Sequence, residues 1–149
     1  MLPAPELTVA FFGHRDIEAT EELKSKLYEL LENLILFENA RTFLFGSRSK
    51  FDYLCLDIVT ELKKRYFYIK RIYIRAEYRY ISDSYKDYLL ELYDDTYYSA
   101  NITKPSRAVY IQRNTEMAEK CDIAVCYVTK NTVGAYKALE YAKRKGKKL

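Results

Sequence analysis

Thr42-Phe43-Leu44-Phe45-Gly46-Ser47-Arg48-Ser49-Lys50-Phe51-Asp52 is an apolar run rich in β-formers that stops at a glycine, turns through polar residues and enters a helical pattern. Phe51, Leu54, Cys55, Ile58, Val59 and Leu62 recur at intervals of three and four, the spacing of one helix face. A short continuous apolar run suits a strand buried on both sides, as in a parallel sheet. The same unit stands earlier in the chain. Leu7 to Phe12 runs into Gly13, and Leu23, Leu27, Leu30, Leu31 and Leu34 form the following stripe. Further on, Arg71 to Ala76 reads as a third strand, Arg107 to Lys120 as a helix, Asp122 to Val128 as a fourth strand and Gly134 to Lys145 as a closing helix. Residues 78–105 give no clear period. Strand–helix alternation predicts an α/β sandwich with a mainly parallel sheet of four to five strands and right-handed crossovers. Gly146-Lys147-Lys148-Leu149 looks like the start of a last strand cut short.

The composition fits one domain over residues 1–149. Hydrophobic residues make up 49% and charged residues 31%, while Gly and Pro number only 4 and 3, which excludes disorder for most of the chain. The net charge of +4 is a mild bias toward anionic partners, too small for a dedicated nucleic-acid binder. No apolar run approaches the roughly 18 residues of a membrane span and no signal pattern opens the chain, so the expected location is cytoplasmic, with no membrane partner. Cys55, Cys121 and Cys126 form no paired spacing and His14 is the single histidine, so no metal site and no disulfide framework are expected.

Ligands of open parallel sheets bind beyond the carboxyl ends of the strands, and Gly13, Gly46 and Gly134 fall in those turns. In the first, His14 and Arg15 could meet a phosphate, or stand in solvent while Asp16 caps the first helix. In the second, Ser47 and Ser49 could cap the helix or bind phosphate, and Phe51 could pack on a base or join the core. Asp52 would suit a ribose hydroxyl better than a phosphate. Glu77 follows the third strand, as a ligand carboxylate or a surface residue. The last turn, Thr129-Lys130-Asn131-Thr132-Val133-Gly134-Ala135, has the shape of a phosphate nest but is neither a Walker loop nor a dinucleotide fingerprint.

These turns, in this order, resemble the SLOG superfamily, and most closely its YpsA-like branch of small bacterial proteins. The matching residues are Gly13-His14-Arg15, Gly46-Ser47 with Phe51-Asp52, Ala76-Glu77, Arg113-Asn114 with Met117, and Asn131-Thr132-Val133-Gly134-Ala135. The superfamily also holds the cytokinin-activating phosphoribohydrolases of the lysine-decarboxylase-like group and the DNA-processing protein of natural transformation. The resemblance implies a Rossmann-like fold and a nucleotide ligand contacted by the glycine turns, with Arg113 and Asn114 nearby and Met117 packed below. On that basis the candidate ligand residues are Gly13, His14, Arg15, Gly46, Ser47, Phe51, Asp52, Glu77, Arg113, Asn114, Thr129, Asn131, Thr132, Gly134 and Ala135. The hydrolytic branch carries Pro-Gly-Gly-x-Gly-Thr-x-x-Glu, whereas Asn131 to Lys137 here has one glycine and no glutamate before Glu140.

The leading expectation is therefore a domain that binds a nucleotide or an ADP-ribose- or NAD-like derivative in a sensor or regulatory role, with no cofactor required. The alternative is a nucleoside-monophosphate N-glycosidase, with Glu77, Asp52 or Glu140 as the catalytic carboxylate. Single-stranded DNA binding ranks third. Seven of the sixteen tyrosines lie between residues 78 and 98, where they could form a lid, cover the sheet or support a homo-oligomer.

Overall fold

The computed structural model describes residues 5–13 and 17–127. Five strands, β1 (Leu7–Gly13), β2 (Ala40–Phe45), β3 (Lys70–Arg75), β4 (Asp95–Tyr98) and β5 (Ile123–Tyr127), pair in the order β4-β3-β2-β1-β5. All four pairings are parallel. Helices α1 (Glu21–Phe37), α2 (Lys50–Arg65), α3 (Asp83–Leu92) and α4 (Val109–Lys120) connect them. From β1 to β4 the chain steps outward in one direction. It then crosses back through α4 to place β5 on the other side of β1. With right-handed crossovers, that reversal puts α1, α2 and α3 on one face and α4 on the other. The result is a Rossmann-like three-layer α/β sandwich, the expected class, with five strands among the described residues.

The two cores follow the strand alternation. On the first face Val9, Phe11, Phe43, Phe45 and Tyr73 meet Leu27, Leu31 and Ile35 of α1, the apolar stripe of α2, and Leu89 of α3. Phe11 stacks on Phe45 with ring centroids 5.0 Å apart. On the second face Ala10, Phe12, Leu44 and Ile74 meet Met117, Ala118 and Cys121. Cys55 and Cys121 are buried and Cys126 is half-buried, and no disulfide joins them. Leu30, expected in the α1 stripe, stands 43% exposed. Among the described residues no helix is long and apolar enough to cross a membrane.

Caps fix the helix starts. Thr20, Ser49 and Ser82 accept from the backbone N–H of Leu23, Asp52 and Tyr85 at 3.1, 3.2 and 3.2 Å. The cap of α1 is therefore Thr20 and the helix begins at Glu21, about one turn later than the expected start after residue 16, which itself lies outside the described residues. Two aspartates fix strand register in the same manner. Asp122 accepts from Thr8 N–H at 2.8 Å and returns its own N–H to the Thr8 carbonyl at 2.8 Å. Asp94 does the same with Arg71, at 2.8 and 2.7 Å, and adds ion pairs to Arg71 and Lys63. The segment without a sequence period contains α3 and β4. Its tyrosines divide: Tyr93 is buried against Phe45 and Tyr73, while Tyr78, Tyr80 and Tyr88 are exposed.

Candidate functional site

Beyond the carboxyl ends of β2 and β3 the chain forms a pocket of about 100 Å³. Its floor is the β2–α2 turn, Gly46-Ser47-Arg48. Tyr73, Arg75, Glu77 and Tyr78 come from β3 and the turn after it, Tyr85 from α3, and Tyr110 and Arg113 from α4.

The turn is built around one carboxylate. Asp52 Oδ2 accepts from the backbone N–H of Gly46 and of Arg48, both at 3.2 Å, and the side chain is 2% exposed. Burial pushes the Asp52 carboxyl up to about 6, opposed by those two N–H groups and by the charges of Arg113 and Arg48. Ser47 and Ser49 close the rest of the turn on each other, Oγ to Oγ at 2.9 Å. Arg48 takes a left-handed backbone, φ 53°, which a non-glycine residue holds only where its surroundings over-determine it.

Gly46 is required by proximity. A Cβ there would lie 2.7 Å from Met117 Sδ and 2.8 Å from Arg113 Cδ and Nε. That closeness lets Arg113 Nη1 donate to the Gly46 carbonyl at 2.6 Å, while Nε donates to Asn114 Oδ1 at 3.0 Å. Arg113 is 3% exposed, and burial draws its pKa below the ordinary arginine value. Its guanidinium lies 5.7 Å from the Tyr110 ring, and Tyr110 in turn donates to Glu77 Oε1 at 2.6 Å.

Two more guanidinium groups share the pocket. Arg48 Nη1 donates to the Tyr85 hydroxyl at 3.3 Å, its guanidinium lies between the rings of Tyr53 and Tyr73, and its Nε is buried without a hydrogen-bond partner. Arg75 is held by neutral acceptors, Thr96 Oγ1 and the carbonyls of Tyr78 and Arg79. Among the described residues none of Arg48, Arg75 and Arg113 has a carboxylate within ion-pair distance. A buried or half-buried cation without a counter-ion is expensive, and three facing one cavity make it a strongly anion-attracting place.

Of the residues selected from sequence, Gly46, Ser47, Glu77 and Arg113 line this pocket, and Asn114 supports Arg113 from behind. Met117 packs beneath, 1% exposed. Phe51 is a core residue: it lies under Gly13, stacks on Tyr127 at 5.8 Å and is 1% exposed. Asp52 faces its own turn and does not line the cavity. His14, Arg15, Thr129, Asn131, Thr132, Gly134, Ala135 and Glu140 lie outside the described residues. Sequence reasoning passed over Arg48, Arg75 and Tyr110, whereas Tyr78 and Tyr85 belong to the tyrosine-rich segment read as a lid, a sheet cover or an oligomer contact. Tyr110 had a usable signal, since it precedes Arg113 by three on a helix and so shares its face. Arg75 had one as well, as the last residue of a strand at the binding edge.

A larger groove of about 370 Å³ runs between α1 and α2, lined by Lys24, Tyr28, Leu54, Asp57, Ile58 and Glu61. Its charges are mixed and it lies away from the strand ends, so it has none of the electrostatic focus of the smaller pocket.

No protein-family model matches the chain, and no curated protein matches it by sequence. Among solved structures it is similar to the DNA processing protein A (DprA) from Streptococcus pneumoniae, with a TM-score of 0.67 and 15% identity. The match covers 95% of this chain and 48% of that one, so the chain spans about half the length of the structure it resembles. At that identity the likeness establishes a shared Rossmann-like fold.

Proposed function

We propose that this chain is a binding domain for a nucleotide or a nucleotide derivative of the ADP-ribose or NAD type, serving as a sensor or regulatory module of the cytoplasm. The observation that carries this reading is the set of guanidinium groups of Arg48, Arg75 and Arg113. They converge without a carboxylate partner among the described residues on a glycine turn at the carboxyl edge of a parallel sheet. That edge is where open α/β sheets take their ligands. The SLOG-like order of the turns adds the nucleotide class, and the fold shared with a DNA-processing protein is consistent with it.

The test is thermal melting against AMP, ATP, GMP, NAD, ADP-ribose and cyclic nucleotides. A ligand at 100 times its Kd stabilises the native state by about 2.7 kcal/mol, which a melting curve resolves readily. A selective shift by one nucleotide class supports the reading, and the absence of any shift across the panel overturns it.

Glu77 favours a second reading, N-glycosidic cleavage, because it is the carboxylate lining the pocket and accepts a 2.6 Å bond from Tyr110. Cleavage predicts release of free base that Glu77→Gln abolishes, whereas a binding domain releases none.

A further inference from the structure

We propose that the pocket beyond β2 and β3 is a subsite for a terminal, dianionic phosphate group, gripped by the side chains of Arg48, Arg75 and Arg113 rather than by the backbone amides of the turn. This rests on the nucleotide reading above and narrows it to a nucleotide that ends in a phosphate monoester, because the bridging phosphates of NAD and ADP-ribose offer no dianionic terminus.

Four amides of the β2–α2 turn are already engaged. A strand-to-helix turn ordinarily offers its free N–H groups to phosphate. Here the N–H groups of Gly46 and Arg48 are committed to Asp52, that of Ser49 to Ser47 Oγ, and that of Asp52 to Ser49 Oγ. The chain's own carboxylate takes two of the amides an anion would use and the two serines take two more, which shifts the attraction for a ligand anion onto the side chains.

The three guanidinium groups supply the donors instead. Arg48 brings a buried Nε with no acceptor, from a backbone held at φ 53°, and its guanidinium is fixed by Tyr85 and two tyrosine rings. Arg113 has two neutral acceptors and Arg75 three. Guanidinium forks match the geometry of phosphate oxygens, and a dianion answers several of them better than a monoanion.

The cavity also has the size of a single group. Pockets for whole drug-sized ligands run to roughly 300–1,000 Å³. A cavity of about 100 Å³ takes one end of a nucleotide, leaving the sugar at the rim beside Glu77 and Tyr110 and the base outside.

Calorimetric titration of AMP, ribose 5-phosphate, adenosine and cyclic AMP into the wild type, Arg75→Gln and Arg48→Gly tests the assignment. Glycine accepts a positive φ freely, so Arg48→Gly is expected to melt no lower than the wild type while losing the guanidinium. The expected result is binding of AMP and ribose 5-phosphate, at least tenfold weaker binding of cyclic AMP, none of adenosine, and a tenfold or greater loss of AMP affinity in each variant. Equal binding of adenosine and AMP, with both variants like the wild type, overturns the phosphate subsite and leaves the nucleotide reading standing. Equal binding of ribose 5-phosphate and AMP, weakened in both variants, upholds the subsite and removes the base from the reading. Binding of none of the four overturns the phosphate subsite and leaves the nucleotide reading to the wider melting panel.

Discussion

Helix α2 buries Phe51, Leu54, Cys55, Leu56, Ile58, Val59 and Leu62, with Asp52 as its one buried polar residue, whereas α4 buries Arg113, Asn114 and Glu116 beside Val109, Met117 and Ala118. Both helices cover the same sheet, from opposite faces. Each large apolar side chain of α2 contributes about 1.5–3 kcal/mol by leaving water. The polar residues of α4 gain little net stability, because desolvation offsets most of what their partners return. Each of the two charged residues nevertheless has partners. Glu116 accepts from Ser99 and from Asn101 N–H, both at 3.1 Å, and pairs with Lys120 at 3.4 Å, while Arg113 donates to Gly46 and Asn114. A buried network that adds little stability but fixes a guanidinium at a pocket wall is what a ligand site requires. The contrast assigns α2 to holding the fold and α4 to presenting the site.

The contrast can be broken most sharply at Leu62, which is fully buried on α2. Leu62→Ala should lower the unfolding free energy by about 2–5 kcal/mol in chemical denaturation, leaving the ligand affinity of the folded fraction unchanged. A loss of affinity at constant fold would erase the division of labour.

Asp52 is the polar exception on α2, and its raised pKa gives a signed prediction. Between the unfolded value near 3.8 and the folded value of about 6 the native state holds the extra proton, so stability from this group falls as pH rises through that window and is level above it. The difference between the two values corresponds to about 3 kcal/mol. Asp94 has the opposite sign: Arg71 and Lys63 hold its carboxyl low despite partial burial, so its contribution is lost as pH falls. The wild-type-minus-Asp52→Asn difference in denaturation midpoints between pH 4 and 7 isolates Asp52, and a flat difference would contradict the assignment.

Gly46→Ala sharpens the comparison at the contact between the turn and α4. The new methyl must displace Met117 Sδ and the Arg113 stem, an overpacking that destabilises by about 1–3 kcal/mol and moves the guanidinium. Circular dichroism melting should report the first effect and ligand titration the second.

Arg113→Met is the most diagnostic substitution. It removes a buried cation but leaves the Gly46 carbonyl and Asn114 Oδ1 without their donor, so the unfolding free energy should fall by no more than about 1–3 kcal/mol. Ligand affinity should fall at least about tenfold, since a hydrogen bond to a charged group is worth roughly 1.5–3 kcal/mol. Strong destabilisation instead would make Arg113 a structural residue.

How much of this was legible depended on whether a residue's role is local. The six stripe residues Phe51, Leu54, Cys55, Ile58, Val59 and Leu62 are all buried, because a 3.6-residue period and a neighbouring apolar sheet are enough to place them. Helix α3 and β4 escaped, since tyrosines blur the boundary between core and surface. β4 is a four-residue edge strand with an exposed Asp95 at its start, too short and polar to announce itself. Gly46 and Arg113 were each visible as motif residues. Their 2.6 Å hydrogen bond spans 67 positions, and that pairing is a property of the crossover. Asp52 shows the same limit: a carboxylate in a helix's first turn looks available to a ligand until the fold closes over it.

The most direct measurement of the central claim is the arginine Nε–Hε nuclear magnetic resonance spectrum during titration with AMP. The account predicts that the resonances of Arg113, Arg48 and Arg75 move together and saturate, while that of Arg65, exposed and paired with Glu32, stays in place. An Arg113 resonance that does not move at saturating AMP would contradict it.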